Sequence, residues 1–570
     1  MKWIKKNNFK TMKEYAEHTF KDFKNGKDRS ENYEIKDQNK AADLLYKYKN
    51  KPVRIIGDYD TDGMISVTIL MLLLKIGLKF SDVDYFIPDR ILDGYGANPK
   101  IIDCLCNGML LNGKHYEKPD QTGLIIMIDN GIAAIPAVKK ATEYGWEVLI
   151  LDHHLPLVDE NKNKCLPPAT VIIDPHAVEC GADFVDYCGA GLGYKLAQYI
   201  NKNLVALGDE VMQKICGLAA IATIGDSVKL IEENNGTYGY DNYLIVRDGL
   251  FYLTQNAGRT TGMYVLFSEL NEKYETQITA EDVGYFISPT MNATSRLCLY
   301  GAEQVVDLLL QDDDDFVSAK EKAELLVQNN EDRKKYTNEL IPVLQEKIKS
   351  EHLENDYPLI VTGDIDSGVL GLIAGKLAEI YNTTVIVFNN SNEVFKGSAR
   401  AVAGENIKLL LDEVNKYIEG YGGHEAAAGV VVTADNFDDF KNAIQSIAVK
   451  PENTDCKYYD FEITADEAMQ ELSILEEYAP FGAGFEEPVF KVNFKADLIK
   501  GAYFGVIGKN ANVLKLFNRK ANAISFNPDM IQKYEELGEP SELVVYGRVT
   551  ANIWRGEKSA QIVFDDMSFI

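Results

Sequence analysis

The chain has 570 residues, 46% of them hydrophobic, and its 59 basic and 87 acidic residues give a net charge of −28. At ~150 residues per domain, this length predicts about three or four folded domains. No run approaches the ~20 apolar residues of a membrane span, and the polar start MKWIKKNNFKTMKEY lacks the apolar region of a signal peptide. We therefore expect a cytoplasmic protein without membrane contacts. The acidic balance argues against a protein that coats nucleic acid through phosphate contacts, although bound cations and a few arginines could hold a polyanion locally.

The first 310 residues predict one large domain behind a short extension. Residues 1–40 are charged, and a helical stretch at 37–49 precedes the first strand. From 52 to about 230, short apolar runs alternate with helical segments, and the runs are VRII (53–56), LIIMI (124–128), VLIL (148–151) and VIID (171–174). This alternation predicts an α/β domain over 41–310 with a doubly wound parallel sheet. The last part of this domain, 190–310, is predicted to be mainly helical.

A long polar helix is predicted over 311–354. Asp312 to Asp315 could cap it, and Pro342 should kink or interrupt it. Its composition is more typical of a connector between domains than of a core helix. A smaller α/β unit follows at 355–450, with strands LIVTG (359–363) and TVIVF (384–388) and a glycine-rich segment at 420–429.

The last region, 455–570, consists of short strands separated by turn signals. Five strands in about 110 residues are typical of the oligonucleotide-binding (OB) β-barrel. The predicted strands are 488–494, 513–517, 523–526, 543–550 and 559–564.

Carboxylates follow three of the buried strands in the first domain. The first strand leads into Asp58, Asp60 and Asp62, the second run into Asp129, and the third into the sequence Asp-His-His at 152–154. Because open parallel sheets place their chemistry at the carboxyl ends of strands, we expect these side chains to converge on bound cations. Mixed carboxylate and imidazole ligands suit Mn²⁺ best, and Mg²⁺ or Zn²⁺ is the second choice. The number of ligands points to two ions ~3.5–4 Å apart, an arrangement that favours phosphoester hydrolysis.

The motifs in order resemble those of a known superfamily. GDYDTDG (57–63), IDNG (128–131), LDHH (151–154) and IGDSV (224–228) resemble the four motifs of the DHH phosphoesterases, while FKGSAR (395–400) and GGHEAAAG (422–429) resemble their associated C-terminal domain. Further motifs, among them YFIPDRILDGYG (85–96), ISPTMNATSRL (287–297) and APFGAGFEEPVF (479–490), narrow the resemblance to the RecJ family over residues 40–566.

This resemblance implies a single-strand-specific 5′-to-3′ DNA exonuclease of repair and recombination that uses two Mn²⁺ or Mg²⁺ ions. Asp129 would bridge the two ions and Asp58 would assist at the first. His154 would contact the scissile phosphate or complete the second coordination shell of the metals, and Asp152 would orient the histidine pair. The implied metal ligands are Asp58, Asp60, Asp62, Asp129, His153 and Asp226.

The resemblance also implies a substrate path. The strand would thread the groove between the two α/β domains, its terminal phosphate held by arginines and a serine, with Asn292 also binding substrate. The implied substrate-binding residues are Arg90, Asn292, Arg296, Ser398, Arg400, Gly423 and His424. We expect a monomer; whether a single-strand-binding protein or a helicase supplies the strand stays open.

Two positions depart from the family pattern. Many superfamily members have histidine four residues before Asp60, where this chain has Ile56, so we expect a weaker hold on the first metal. Relatives often have arginine where this chain has Thr290, which removes one phosphate contact.

Simpler interpretations compete at single positions. Asp226 could cap a helix, Arg400 could pair with a surface carboxylate, and GGHEAAAG could be a tight turn into a small-residue helix. At the level of the whole chain, the alternatives are a phosphodiesterase for short oligonucleotides or cyclic dinucleotides and an inactive replication scaffold. The C-terminal barrel argues against the first, and the complete set of acidic ligands argues against the second.

Overall fold

The computed structural model contains five parallel strands in its first domain. It describes residues 2–21, 35–111, 114–159, 161–177, 184–234, 237–275, 277–312, 315–390, 393–451, 456–496, 505–507 and 512–569. Across the first sheet, the strands lie in the order Val83–Phe86, Val53–Ile56, Leu124–Ile128, Glu147–Leu151 and Val171–Ile173. All neighbours are parallel, as predicted.

The strand order fixes where a ligand can bind. Val53–Ile56 is first in sequence but lies between the second and third strands, so the direction of winding reverses between it and Leu124–Ile128. In open α/β sheets the crevice at such a switch point is the usual binding site. The carboxylate motifs of both strands lie at this crevice.

A fully buried helix continues from the first strand. Every residue of Thr61–Met71 is buried, because this apolar segment packs against the sheet and against the helices Gly189–Asn203, Asp209–Gly225 and Gly301–Leu310. It extends as a π-helical segment, Leu72–Gly77. Among the described residues, the remaining α-helices of the first domain are Gln38–Lys47, Pro99–Asn107, Ile135–Glu143, Gly189–Asn203, Asp209–Gly225, Asp241–Thr254, Thr261–Leu270, Ala280–Asp282, Ser288–Leu297 and Gly301–Leu310, and a second π-helical segment, Val283–Ile287, precedes Ser288–Leu297.

The predicted connector is a single helix, Phe316–Ser350, capped by the Asp315 side chain, which accepts a hydrogen bond from the Ser318 amide at 3.1 Å. Pro342 does not interrupt it, because the helix continues through this residue, whereas the alternative expectation of a kink at Pro342 stays a prediction. Leu326 belongs to the core of the first domain and Leu344 to the core of the second. The connector therefore packs into both domains.

The second domain has a mixed sheet. Its strands lie in the order Leu359–Gly363, Val385–Asn389, Val394–Arg400, Ala427–Thr433 and Gly420–Gly423. The first two are parallel and the others antiparallel, so the expected alternation in the manner of the first domain holds only for its first half. The glycine-rich segment forms a hairpin and not a helix. The helices of this domain are Leu370–Tyr381, Ile407–Glu413 and Phe437–Ile447.

The main sheet of the C-terminal domain has seven strands among the described residues, and an eighth strand, Cys456–Tyr459, lies outside this sheet. The five predicted strands are present, and two short ones, Phe461–Thr464 and Gly505–Ile507, flank them. The order is Phe461–Thr464, Phe490–Lys495, Glu542–Trp554, Glu557–Ser568, Ala521–Ser525, Val513–Leu516 and Gly505–Ile507. Helices Ala468–Tyr478 and Asp529–Glu536 accompany the sheet.

The N-terminal segment belongs to this last domain. Lys2–Lys5 pairs in parallel with Cys456–Tyr459, and the helix Met12–Thr19 packs into the C-terminal core. The same core includes Tyr243 of the first domain, whose hydroxyl donates to the Tyr478 carbonyl at 3.2 Å. The C-terminal domain is therefore anchored on the first domain. Within the described residues, no helix is long and apolar enough to cross a membrane.

Candidate metal centre

The first acidic motif wraps around the start of the buried helix. Asp60 is its N-cap and accepts a hydrogen bond from the Gly63 amide at 3.1 Å, a role typical of aspartate at this position. Asp62 lies in the first turn, where it accepts hydrogen bonds from the amides of Gly189 at 2.6 Å and Ala190 at 2.9 Å. Those amides begin the helix Gly189–Asn203, so two helix N-termini stabilise this carboxylate.

Asp129 projects from the end of the neighbouring strand. Its φ is +58°, a conformation that non-glycine residues seldom adopt and that often accompanies functional sites. The next residue, Asn130, holds this backbone by donating to the carbonyls of Ile56 at 3.0 Å and Ile128 at 2.9 Å. The side-chain amide of Asn130 thus ties the two strands together at the switch point.

The third motif contains a histidine pair oriented by a buried carboxylate. Oδ1 of Asp152 accepts hydrogen bonds from the His153 amide at 2.8 Å and from Nδ1 of His154 at 2.8 Å, and Oδ2 accepts one from the Ile132 amide at 2.9 Å. Nε2 of His153 lies 3.1 Å from Oδ1 of Asp129. The His153 ring therefore contacts Asp129, whereas the His154 ring contacts Asp152.

Asp226 completes the cluster from the end of the helix Asp209–Gly225. It is the C-cap of this helix, and its carboxylate lies 3.7 Å from Nε2 of His153, so capping does not explain its side chain. Three groups of three residues could each hold a metal ion, because the ligand atoms within each group lie within 4.8 Å of one another. They are Asp129, His153 and His154; Asp62, His153 and Asp226; and Asp58, Asp60 and Asp129.

The charges of this cluster fit cations. Burial and neighbouring carboxylates raise the pKa of Asp58, Asp129 and Asp226 well above the usual aspartate range. Oδ1 of Asp58 is buried without a hydrogen-bond partner among the described residues. An unpaired carboxylate oxygen beside further carboxylates is costly unless a cation binds there. The residues present therefore fit divalent metal ions.

The two histidines have opposite pKa shifts. Burial lowers the pKa of His153, which favours the neutral form that ligates metals. Burial also disfavours a charged His154, but the hydrogen bond and charge of Asp152 outweigh this effect and raise its pKa to about 9. The same hydrogen bond outweighs the effect of burial on Asp152 and lowers its pKa. His154 and Asp152 thus form an ion pair at neutral pH.

The predicted phosphate-binding residues come from both α/β domains. Arg90 lies 4.8 Å over the ring of Tyr59, within the first motif, and Arg296 donates to the Gly368 carbonyl at 3.1 Å. Arg400 donates to Oγ of Ser398 at 3.3 Å. Burial lowers the pKa of Arg296 to about 10 and also lowers that of Arg400, and the charge of Arg90 contributes to both shifts. The three arginines are therefore neighbours.

No ion pair within 4.0 Å joins these arginines to a carboxylate in the described part of the chain, and so Arg400 is not a surface salt-bridge partner there. Asn292, on the helix that carries Arg296, accepts a hydrogen bond from the Thr61 amide at 2.9 Å and thereby joins this helix to the first motif.

Other predicted residues lie farther out. Gly423 and His424 are exposed at the tip of the glycine-rich hairpin, where the His424 amide donates to the Ala427 carbonyl at 2.8 Å. Gly423 has a φ of +144°, so glycine is favoured there. Ile56 is fully buried in the strand, and Thr290 is buried and accepts a hydrogen bond from Asn330 at 2.9 Å. Thr290 therefore helps to hold the helix Ser288–Leu297 against the connector helix.

Sequence reasoning missed two residues of the site. The Tyr95 hydroxyl lies 3.1 Å from Nε2 of His154, and Tyr95 is 51% exposed. Gly189 lies so close to Asp129 that an added Cβ would be 2.6 Å from the Cβ of Asp129. The motifs DGYG (93–96) and CGAGLG (188–193) contain both residues, but only the three-dimensional contacts reveal these roles.

Family models match most of the chain in three segments. The DHH family, N-terminal domain, matches residues 52–223, the DHHA1 domain matches 356–450, and the RecJ OB domain matches 459–566. The first segment contains the metal cluster except Asp226, and the second contains Ser398 and Arg400. The three domains occur in the order that the motifs predicted.

Curated relatives and solved structures agree with these matches. The chain is 28% identical over 558 residues to the single-stranded-DNA-specific exonuclease RecJ of Bacillus subtilis, covering 94% of this chain but only 64% of that protein. It is 29% identical over 557 residues to RecJ of Haemophilus influenzae, covering 92% and 89%. A crystal structure of RecJ in complex with Mn²⁺ from Thermus thermophilus has the same fold, with a TM-score of 0.73, 22% identity and coverage of 97% and 75%. By its domains and its relatives, the chain belongs to the RecJ family of DHH proteins.

Proposed function

We propose that this protein is a metal-dependent exonuclease that degrades single-stranded DNA from its 5′ end to mononucleotides, in DNA repair and recombination. The observation that carries the proposal is the cluster of six aspartates and two histidines at the switch point, beside arginines that lack carboxylate partners among the described residues. Relatives named as single-stranded-DNA-specific exonucleases, matched over nearly the whole chain, support the same activity. Manganese and magnesium complexes of solved RecJ structures support the choice of metal.

Two ions would be held by the residues of the three groups. Asp129, which belongs to two of these groups, would be a ligand of both ions, while Asp58 and Asp60 would complete one site and Asp62, His153 and Asp226 the other. When bound, the ions would supply an activated water and stabilise charge on the phosphoryl oxygens. Neutral His153 suits a ligand role, and its ring is fixed by the contact with Asp129.

His154 would act on the scissile phosphate. Because its pKa is about 9, it carries a positive charge at neutral pH, and its Nδ1 proton is held by Asp152. The proton on Nε2 then points away from Asp152 and could be donated to a non-bridging phosphoryl oxygen. Tyr95 lies at this nitrogen and would give way to, or help position, that oxygen. Asp152 acts through His154 and positions it.

The arginines would set the polarity of digestion. A terminal phosphate carries nearly one more negative charge than an internal diester, and arginine can grip it with two parallel hydrogen bonds. Gly371 leaves room for the Arg400 guanidinium, since an added Cβ there would lie 2.9 Å from Nη2 of Arg400. Backbone and shape contacts would bind the strand without reading its bases.

The remaining proposals concern the strand beyond the site and its supply. The exposed hairpin tip, Gly423 and His424, would contact the strand where the second domain faces it, and the C-terminal domain would hold more distant nucleotides. A single-strand-binding protein or helicase would present the substrate. We propose a cytoplasmic monomer with domain bounds near 41–310, 311–354, 355–450 and 455–570.

One assay tests the proposal. Single strands of DNA and RNA, labelled at the 5′ or 3′ end, are incubated with Mn²⁺ or Mg²⁺, and mononucleotides should appear from the 5′ end of DNA. Asp129→Ala should abolish hydrolysis, whereas Asp174→Ala, at the end of the next strand, should have a smaller effect. Chelator should remove the activity and Mn²⁺ restore it. Equal activity of Asp129→Ala and the unaltered protein would contradict the two-metal site.

A further inference from the structure

An arginine occupies the inward face of the connector helix at the junction of the two α/β domains. Residues spaced three and four apart form this face, and they are Leu326, Asn329, Arg333, Tyr336, Leu340 and Leu344. Leu326 packs into the first domain, and Leu340 and Leu344 pack into the second. Arg333 is the charged member of this face, halfway between two apolar cores.

The Arg333 guanidinium lacks a counter-ion among the described residues. Its Nε is buried without a hydrogen-bond partner, and no carboxylate pairs with it within 4.0 Å in that part of the chain. The charge of Glu331 acts on Arg333, but Glu331 pairs with Lys334 at 2.7 Å, and Asp332 accepts a hydrogen bond from Gln328 at 2.9 Å. Keeping a partly buried cation unpaired is costly, which indicates that an anion from outside the chain binds there.

Arg333 lies near Arg296, one of the arginines proposed to bind the 5′ phosphate. The connector is fixed to the helix Ser288–Leu297 by Asn329, which donates to Oγ1 of Thr294 at 3.5 Å. Arg333 lies one turn beyond Asn329, and Arg296 lies two residues beyond Thr294 on the other helix. The two guanidinium groups are close enough for the charge of Arg333 to lower the pKa of Arg296.

Contacts from the second domain close the same junction. The Tyr336 hydroxyl, one turn after Arg333, accepts a hydrogen bond from the Asp366 amide at 3.1 Å. Oδ1 of Asp366 accepts the Gly368 amide at 2.8 Å, and the Gly368 carbonyl accepts Nη1 of Arg296 at 3.1 Å. Arg333 therefore lies where the first domain, the connector and the second domain meet, beside the arginines proposed to hold the 5′ phosphate.

We propose that Arg333 is a further binding residue for the 5′-terminal phosphate, an inference that rests on the proposed function. The phosphate would then be held by Arg90 and Arg296 of the first domain, Arg333 of the connector and Arg400 of the second domain. Without an anion, these like charges repel one another across the junction. With the phosphate bound, one ligand ties three parts of the chain together, so occupation of the site stabilises the closed junction.

The first test compares Arg333→Gln with Lys335→Gln in the Mn²⁺-loaded enzyme. Lys335 is two residues away on the same helix, so its variant removes the same charge without touching the junction. For 5′-phosphorylated strands, Arg333→Gln should raise KM about 10-fold, which corresponds to about 1.4 kcal/mol, with little change in kcat. For 5′-hydroxyl strands, KM should be unchanged, and Lys335→Gln should match the unaltered enzyme on both. An equal effect of Arg333→Gln on both kinds of end would overturn the proposal.

The second test measures thermal unfolding in Mg²⁺, with and without inorganic phosphate. Without phosphate, Arg333→Gln should melt at the same temperature as the unaltered protein or higher, because an unpaired charge has been removed. With phosphate, the unaltered protein should gain more than the variant, and Arg333→Lys should gain an intermediate amount. A lower melting temperature for Arg333→Gln, with an unchanged phosphate shift, would show a structural role and overturn the proposal.

These two tests separate the inference from the proposed function. If the unaltered protein degrades no single strands, the proposed function fails, and the phosphate-dependent shift in melting temperature still decides whether Arg333 binds phosphate. If strands are degraded but neither KM nor the phosphate shift responds to Arg333→Gln, the function stands and the inference on Arg333 is wrong.

Discussion

The close approach of Gly189 to Asp129 allows a sharp test of the metal centre. A Cβ at position 189 would lie 2.6 Å from the Cβ of Asp129, 2.9 Å from its Cα and 3.0 Å from Oγ of Ser66. Carbon atoms prefer ~3.5–4.0 Å, so Gly189→Ala forces a shift of roughly 1 Å. Either Asp129 moves, or the helix start moves and takes with it the amides that hold Asp62.

The expected losses of activity and of stability differ in size. A displacement of about 1 Å in a catalytic site can cost about 100-fold in rate, and we expect kcat to fall by about that factor. Overpacking costs about 1–3 kcal/mol of stability, whereas replacing glycine by alanine in a helix returns about 0.5–1 kcal/mol. The net change in the free energy of unfolding should therefore stay below about 3 kcal/mol, and the variant should fold.

Gly193→Ala provides the matched control. This glycine lies one turn later in the same helix, and its added Cβ would meet only the side-chain ends of Ile128 and Ile69, each at 3.3 Å. We expect near-normal kcat and equal or higher stability. The assay is release of mononucleotides from a single strand over a Mn²⁺ titration, with thermal unfolding of both variants alongside. If Gly189→Ala retains the kcat of Gly193→Ala, the inferred displacement of the ligands is wrong.

Three further changes test other parts of the molecule. Arg400→Ala should slow digestion of 5′-phosphorylated strands by at least ~10-fold, with a smaller penalty on 5′-hydroxyl ends and partial rescue by lysine; equal slowing of both ends would contradict a phosphate-binding role. Burial raises the pKa of Glu487 to about 7, because the ionised carboxylate is less favourable in the folded protein than in the unfolded chain. The free energy of unfolding is therefore highest below about pH 4.5, where Glu487 is protonated in both states, and falls as pH rises towards 7. Glu487→Gln should therefore raise the free energy of unfolding by up to about 3 kcal/mol at pH 8 relative to its effect at pH 4, and chemical denaturation showing no such pH difference would refute this. Trp554, 67% exposed at a hairpin tip, should stack on bases, so Trp554→Ala should weaken binding of long strands by about 1–3 kcal/mol but leave cleavage of very short ones unchanged; unaltered affinity would place this tip outside the DNA path.

The elements that position the metal centre could be predicted from local sequence. Each buried strand is a short, mainly apolar run followed within two residues by its carboxylate, so the runs at 53–56, 124–128 and 148–151 specify both the strand and the place of the ligand. What local sequence does not specify is which strands are neighbours. That order follows from packing of the whole domain, and it places Asp58 and Asp129 at one crevice.

Long-range contacts account for the errors and omissions. Pro342 removes one backbone donor, but it lies in a helix fixed on both sides of it by packing, which holds the chain helical despite that loss. The antiparallel half of the second sheet depends on a hairpin whose first strand, Gly420–Gly423, is mostly glycine and gives no strand signal. The phosphate-binding arginines were inferred from family motifs. Arg333 lies in a segment of the same series, NEDRKKY (330–336), but no role was predicted for it, and its place at the junction is apparent only from the three-dimensional contacts and its missing partner among the described residues.

The pairing of Lys2–Lys5 with Cys456–Tyr459 has a consequence for biosynthesis. The first strand leaves the ribosome 454 residues before its partner begins, which at about 5–20 residues per second is a delay of roughly 20–90 s. During that time its backbone donors and acceptors stay solvated and the apolar face of the helix Met12–Thr19 has no core to enter. The C-terminal domain therefore matures last and needs both ends of the chain, so a nascent protein can complete its catalytic domain well before it completes the domain that would hold long strands.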